Sequence, residues 1–338
     1  MKKAVITGER QAGLVDVPDP KAKEDWVLVK VHASPMCAEY KAFVSGHKEQ
    51  HLGHEAAGEV VAVAQPGRVR VGDRVVAMPL HACGKCTYCL SGNYIVCLNR
   101  PPYEKIHGSL DGVATMGQYI LKQSWLLCPI PEGVSYERGS LACCALGPSF
   151  GAFQSMNLNA HDTVLITGLG PVGLGAVVNA RFRGARVIAV DTVPWRVKRA
   201  EKMGAAVIAI PAGPEALDAV RKLAGGDGVD AALDCAGHVD TEQLCIDAAR
   251  PFARVGFIGE CGNDLKIKVS PDLIRKNLFV QGSWHYNLAD YQKVMQVIRQ
   301  SPLIDLLLSH VVPMSRIQEA FELSASHECA KVVLKPWE

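Results

Sequence analysis

No stretch of this 338-residue sequence is apolar for long enough to cross a bilayer. The longest candidate, Val164–Val178, is broken by Thr167, Pro171 and four glycines. No long apolar segment follows the two lysines of the N-terminal MKKAVITGERQAG, so no secretion signal is expected there. An excess of one charge is also missing: 36 Lys and Arg face 34 Asp and Glu, a net charge of +2. That balance argues against a nucleic-acid binder working through a broad basic surface. Internal repeats and low-complexity tracts are absent. With 49% apolar and 21% charged residues, a disordered or collagen-like chain is excluded. What the sequence does have is cysteine, 12 in all. Without a secretion signal the expected setting is the reducing cytoplasm. There, thiols serve as metal ligands, reactive groups or small core residues rather than as disulfides.

The length suits two domains. Up to about residue 150 the chain reads as β-rich. Short apolar runs at Lys3–Thr7, Trp26–Ala33, Ala57–Ala64 and Asp73–Met78 are parted by turn signals such as Pro18-Asp19-Pro20 and Gln65-Pro66-Gly67. The rhythm then changes. Strand-like runs at Thr163–Thr167, Arg186–Asp191, Ala206–Ile210, Val229–Asp234, Arg254–Ile258 and Leu278–Gln281 enclose helical patterns at Pro171–Arg183, Pro194–Met203, Pro214–Leu223 and Thr241–Ala249. Such alternation predicts a parallel, doubly wound sheet. The tail predicts helices at Ala289–Gln300 and Ile317–Ser324 and a closing strand at Lys331–Leu334.

Four of the cysteines, Cys83, Cys86, Cys89 and Cys97, lie in one short lobe, CGKCTYCLSGNYIVC. Two-residue gaps let neighbouring thiolates converge on one ion, and four thiolates close a tetrahedral zinc shell with no open position. Spacing alone leaves an iron–sulfur cluster as an alternative. A second motif follows the run TVLIT: Gly168-Leu169-Gly170-Pro171-Val172-Gly173, a G-x-G-x-x-G turn between strand and helix. It places a dinucleotide's pyrophosphate at a helix N-terminus. The next strand ends in Asp191, whose carboxylate would accept from ribose hydroxyls and repel a 2′-phosphate, favouring NAD over NADP. Arg196 is a candidate second ribose contact. Cys37, His54 with Glu55, and the pair Cys143 and Cys144 are scattered metal-ligand candidates; a Cys2His set would leave one zinc position open.

The order of these features resembles the zinc-containing alcohol dehydrogenases of the medium-chain dehydrogenase/reductase superfamily: Cys37, Gly53-His54-Glu55, Gly72-Asp73-Arg74-Val75, the four-cysteine lobe, Cys143/Cys144, then the glycine turn. The resemblance covers essentially the whole chain. It implies a GroES-like catalytic domain over residues 1–148 with its structural-zinc lobe at 83–97, a Rossmann NAD-binding domain over 149–281, and a return to the catalytic domain over 282–338. It implies two zinc ions per subunit. The catalytic one would be held by Cys37, His54 and one of the cysteine pair. Cys144 fits best, because Phe150-Gly151 then keep the family's spacing to an aromatic-Gly pair. By the same resemblance, Glu55 is an acidic group behind the catalytic zinc, and Lys331 a basic group facing the cofactor pyrophosphate. Cys235 and Phe257 would stand beside the nicotinamide half. The implied reaction is reversible hydride transfer between an alcohol and NAD, with zinc as Lewis acid.

The sequence departs from the family at two positions. Glu39 stands where a proton-relaying Ser or Thr is usual, and Tyr40 where an Asp orients the zinc histidine. Glu39 is therefore a candidate general base. Polar and aromatic pocket candidates (Glu39, His47, His51, Asp111, Trp284, His285, Tyr286) lean towards a polyol, sugar or amino-alcohol substrate. A zinc-free quinone or enoyl reductase and a non-catalytic NAD-binding protein are the competing readings, and the intact metal ligands argue against both. A homodimer or homotetramer is expected, with Leu278–Gln281 as the candidate sheet edge.

Overall fold

The computed structural model describes residues 1–338. The chain divides into two compact units. The first comprises residues 1–144, 287–299 and 308–338, and the second residues 145–286 and 300–307. The tail is thus shared. The short turn Ile304–Leu307 packs in the second unit, where its Ile304 and Leu307 are buried and Leu306 O accepts from Arg199 Nε at 2.8 Å.

Along the first unit run β1 (Lys2–Gly8), β2 (Gln11–Asp16), β3 (Trp26–Pro35), α1 (Tyr40–Ser45), β4 (Ala56–Ala62), β5 (Arg74–Ala77), α2 (Thr87–Leu90), α3 (Tyr103–His107), β6 (Tyr119–Gln123), β7 (Leu127–Pro129) and α4 (Tyr136–Ser140). The second unit supplies α5 (Gly147–Ser155), β8 (Thr163–Thr167), α6 (Pro171–Phe182), β9 (Arg186–Val190), α7 (Pro194–Lys202), β10 (Ala206–Ile208), α8 (Pro214–Ala224), β11 (Val229–Asp234), α9 (Val239–Ala248), β12 (Ala249–Phe257) and β13 (Phe279–Gly282). The chain closes with α10 (Tyr291–Gln300), β14 (Leu308–Pro313), α11 (Ile317–Ala325) and β15 (Lys331–Lys335). No helix is long and apolar enough to cross a membrane.

In the first unit, β1 and β2 form a hairpin. The main sheet runs β14-β15-β3-β4-β5-β7, with β6 also pairing β3. Strand β3 explains its own central place. Val27, Val29 and Val31 alternate along it and are buried, so one face feeds a core with Val60, Val75, Ile120 and Leu127. The tail completes a second core: Phe321 of α11 stacks on Phe43 of α1, ring centroids 5.0 Å apart.

The second unit is a six-stranded sheet in the order β10-β9-β8-β11-β12-β13, and every pairing is parallel. Strands β8, β9 and β11 are almost continuously apolar because helices cover both faces. Strand order reverses between β8 and β11, and the crevice outside the carboxyl ends of strands at such a point is where open α/β sheets bind ligands. The doubly wound sheet expected from the alternating pattern is therefore present.

Phe321 and Phe43 are both fully buried. Phe321→Ala is expected to cost about 3–5 kcal/mol, from lost transfer energy and the cavity left behind. Urea unfolding followed by far-ultraviolet circular dichroism measures this; an unchanged midpoint would mean that α11 does not hold the first unit together.

Candidate active site

Four cysteines gather in the lobe between β5 and α3. Sγ–Sγ separations are 3.8 Å for Cys83–Cys89, 3.5 Å for Cys86–Cys89 and 3.9 Å for Cys86–Cys97. With a metal–sulfur bond of about 2.3 Å, a tetrahedral zinc shell needs edges of about 3.8 Å, so the donor set fits zinc. Backbone amides point at these sulfurs: Cys86 N–H donates to Cys83 Sγ at 3.3 Å and Cys83 N–H to Cys97 Sγ at 3.4 Å. Backbone donors, that of Lys85 foremost, pull the Cys83 thiol down to about 6, which favours the thiolate a metal needs. The lobe is anchored by Asn287, whose Nδ2 donates to Ser91 O at 2.7 Å and Asn93 Oδ1 at 3.0 Å. Sequence reasoning missed this anchor, because nothing in the pattern links residues so far apart.

A second cluster joins Cys37, His54, Glu55 and Cys144, whose ligand atoms all lie within 4.8 Å of one another. Cys37 ends the loop after β3, His54 and Glu55 precede β4, and Cys144 lies in the turn after α4. His54 Nε2 faces Cys144 Sγ at 3.2 Å, and its Nδ1 faces Glu39 Oε1 at 3.1 Å. The imidazole therefore turns one nitrogen to the cluster and the other to a carboxylate. The hydrogen bond with Cys144 holds the Cys37 thiol well below its usual range. Cys143 points away: buried, its thiol donates to Ala77 O at 3.7 Å. Two sulfurs and one imidazole nitrogen are a fitting zinc donor set with one position left over.

Two of the expected site residues have partners other than those anticipated. Glu39 turns to the cluster itself: one oxygen faces His54 Nδ1, and the other accepts Cys37 N–H at 2.7 Å. Lys331 does not present its ammonium to a pyrophosphate. Its side chain is 1% exposed, donating to Glu55 Oε1 at 2.5 Å and Met36 O at 2.9 Å. Burial disfavours that ammonium, but the charges of Glu55, Cys37 and Cys144 outweigh burial and hold its pKa above the usual lysine value. Its sequence signal was a lysine opening an apolar strand, AKVVL, where the head group has no route to water. Glu55 in turn is fully buried and engaged, its Oε2 accepting Cys144 N–H at 3.0 Å. Of the pocket candidates, Asp111 pairs with Lys3 at 2.6 Å and accepts from Ser109, and His51 lies 3.7 Å from Glu49. Neither touches the Cys37–His54–Cys144 cluster.

In the second unit the glycine turn joins β8 to α6. Gly168 has φ +77°, and a Cβ on Gly173 would overlap the Gly168 carbonyl oxygen, so the helix starts hard against the turn. Gly170 caps α6, Pro171 opens it and Val172 follows. Asp191, just after β9, accepts Leu169 N–H at 2.5 Å and Val193 N–H at 2.8 Å, tying the turn to the next strand. Arg196 brings its guanidinium within 3.9 Å of where a Gly170 Cβ would stand. Cys235 and Phe257 lie at the ends of β11 and β12.

Comparison with known proteins agrees along the chain. The family profile described as "Alcohol dehydrogenase GroES-like domain" matches residues 23–132, and that described as "Zinc-binding dehydrogenase" matches residues 171–300. A sorbitol dehydrogenase of Bacillus subtilis (strain 168) is 30% identical, covering 99% of this chain and 97% of the relative. An L-threonine 3-dehydrogenase of Symbiobacterium thermophilum is also 30% identical, over 96% of this chain and 94% of the relative. The solved structure of an alcohol dehydrogenase from Thermus sp. ATN1 superposes with a TM-score of 0.88 at 25% identity, covering 99% of both chains.

Serine substitution separates the cysteine pair. Cys144→Ser is expected to lose about one zinc equivalent per subunit by elemental analysis, while Cys143→Ser keeps it. Loss from Cys143→Ser alone would reverse the assignment.

Proposed function

Because the chain belongs to the zinc-containing alcohol dehydrogenase family, we propose that Cys37, His54 and Cys144 hold its catalytic zinc, that Cys83, Cys86, Cys89 and Cys97 hold a structural zinc, and that its substrate is a polyol or a similarly polar alcohol. The enzyme is a zinc- and NAD-dependent alcohol dehydrogenase. When bound, zinc supplies a Lewis acid for the alcohol oxygen, and NAD supplies the hydride acceptor.

The observation that carries this reading is the convergence of two sulfurs and one imidazole nitrogen with a carboxylate behind the imidazole. Glu39 accepts from His54 Nδ1–H, which fixes the tautomer and leaves Nε2 as the ligand. The same carboxylate holds the backbone of Cys37, so one side chain orients two donors. Glu39 thus takes the orienting task that the family gives to the next position, and this chain has no hydroxyl at the family's relay position. Glu55 orients the third donor through Cys144 N–H; burial pushes its carboxyl up to about 7, and the Lys331 ammonium opposes that rise. On the cofactor side, the Gly168–Gly173 turn takes the pyrophosphate at the start of α6. Asp191 takes the adenosine ribose, with Arg196 beside it. Cys235 and Phe257 mark the nicotinamide end.

The polar substrate class draws its support from relatives named for sorbitol and L-threonine. A cytoplasmic setting is in keeping with twelve cysteines of which none is paired in a disulfide. We assign self-association to β13, an edge strand whose Phe279 and Val280 are exposed. Antiparallel pairing of two copies there would give a homodimer, the unit of any larger oligomer. Phe279→Asp is then expected to shift sedimentation at micromolar concentration towards the monomer, and an unchanged profile would put the interface elsewhere.

NADH formation over a panel of polyols, amino-alcohols and simple alcohols tests the function; turnover confined to small apolar alcohols would sink the polyol reading. His54→Ala is expected to abolish turnover with the fold intact. Glu39→Gln is expected to weaken zinc at the catalytic site by about 10–100-fold in chelator competition, and to lower activity in proportion to metal lost. Undiminished zinc affinity with a lost acidic limb of the pH–rate profile would instead return Glu39 to the role of base.

A further inference from the structure

The Asp234 carboxylate is fully buried at the carboxyl end of β11, and a buried charge is tolerated only with hydrogen-bond partners. The residue's partners come from three segments: those of the carboxylate from the end of β8 and the turn after β11, those of the backbone carbonyl from the loop after β12. Oδ1 accepts from Thr167 Oγ1 at 2.7 Å, at the last residue of β8 and one position before Gly168. It also accepts from Ala236 N–H at 3.4 Å, while Oδ2 accepts from Gly237 N–H at 2.9 Å. The carbonyl of Asp234 takes Ile258 N–H at 3.0 Å and Gly259 N–H at 3.1 Å, in the loop after β12. That loop lies so close that a Cβ on Gly259 would collide with Gly237 N and stand 2.7 Å from Asp234 Oδ2. The segments after β8, β11 and β12 are therefore drawn together around one residue, at the sheet edge where a doubly wound fold binds its ligand.

We propose that Asp234 is a positioning residue for the nicotinamide half of NAD. Its carboxylate fixes the distance between the end of β8, one residue before Gly168, and the backbone that follows β11. The proposal rests on reading the glycine turn as a dinucleotide site. Asp234 touches no cofactor in this scheme. It acts through the segments it joins, and a carboxylate suits the task because its two oxygens can accept from several donors at once. The adenosine half is held by different groups, the start of α6 and Asp191. Perturbing Asp234 should hence divide the cofactor's two halves, which loss of fold would not do.

The test compares NADH with ADP-ribose, which keeps the adenosine and pyrophosphate but lacks the nicotinamide. For Asp234→Asn, the Kd of NADH is expected to rise about tenfold and that of ADP-ribose to change less than about twofold. KM for NAD should rise with the Kd of NADH, while kcat at saturating NAD stays within about threefold of wild type. Thr167→Val removes one donor and leaves the carboxylate. It should shift NADH binding in the same direction by about threefold, and it serves where Asp234→Asn folds poorly. Equal weakening of both ligands, or unchanged NADH binding, would overturn the proposal. Wild-type protein that bound neither ligand would overturn the dinucleotide reading itself, and the proposal with it.

Discussion

The ion pair between Lys331 and Glu55 is the interaction on which the rest of the candidate metal site depends. Lys331 reaches Met36 O, the residue before Cys37, and Glu55, the residue after His54. Glu55 reaches the backbone of Cys144. One buried pair thus reaches the backbone of one donor, Cys144, directly and the residues next to the other two, Cys37 and His54. Those donors lie far apart in the chain, and Lys331 comes from β15, the last strand. Removing one partner of such a pair leaves an uncompensated buried charge, a loss of about 3–5 kcal/mol. The pair also explains why the tail must return to the first unit. Strand β15 pairs with β3 at Val333–Pro35 and Leu334–Ser34, and this pairing carries Lys331 to the loop that holds Cys37.

Glu39 works on the same principle. Zinc ligands need neighbours that hold them in one orientation and one protonation state. Here a single carboxylate faces His54 Nδ1 and accepts the Cys37 amide. Its place directly before α1 puts it two residues from Cys37 without any long-range folding. Orientation of the donors thus comes from a local element and a distant one acting together. The second unit repeats the pattern. Asp191 binds the glycine turn from the neighbouring strand, and the Asp234 carboxylate ties the end of β8 to the turn after β11. Carboxylates that accept backbone N–H groups stiffen each of these sites.

Much of this was legible in the sequence because it depends on spacing. The four-cysteine lobe, the glycine turn and Asp191 at the end of the next strand are local patterns, and their geometry follows from a few consecutive residues. Strands β8 and β11 begin and end where their apolar runs do. Parallel strands buried on both faces leave little choice of boundary.

Tertiary structure decided the rest. Around Cys143 and Cys144 only the spacing to Phe150-Gly151, read through the family resemblance, pointed to Cys144; the fold turns its sulfur to His54 and that of Cys143 to Ala77 O. The sequence does not tell whether Glu39 faces substrate or imidazole, or Lys331 cofactor or carboxylate. A charged side chain is defined by the partner it finds, and these partners lie up to 295 residues away. The sequence by itself determined which chemical groups are present and in what local spacing. Only the folded chain decided which of them meet, because hydrogen bonds and ion pairs are set by distances of a few ångströms that sequence separation does not encode.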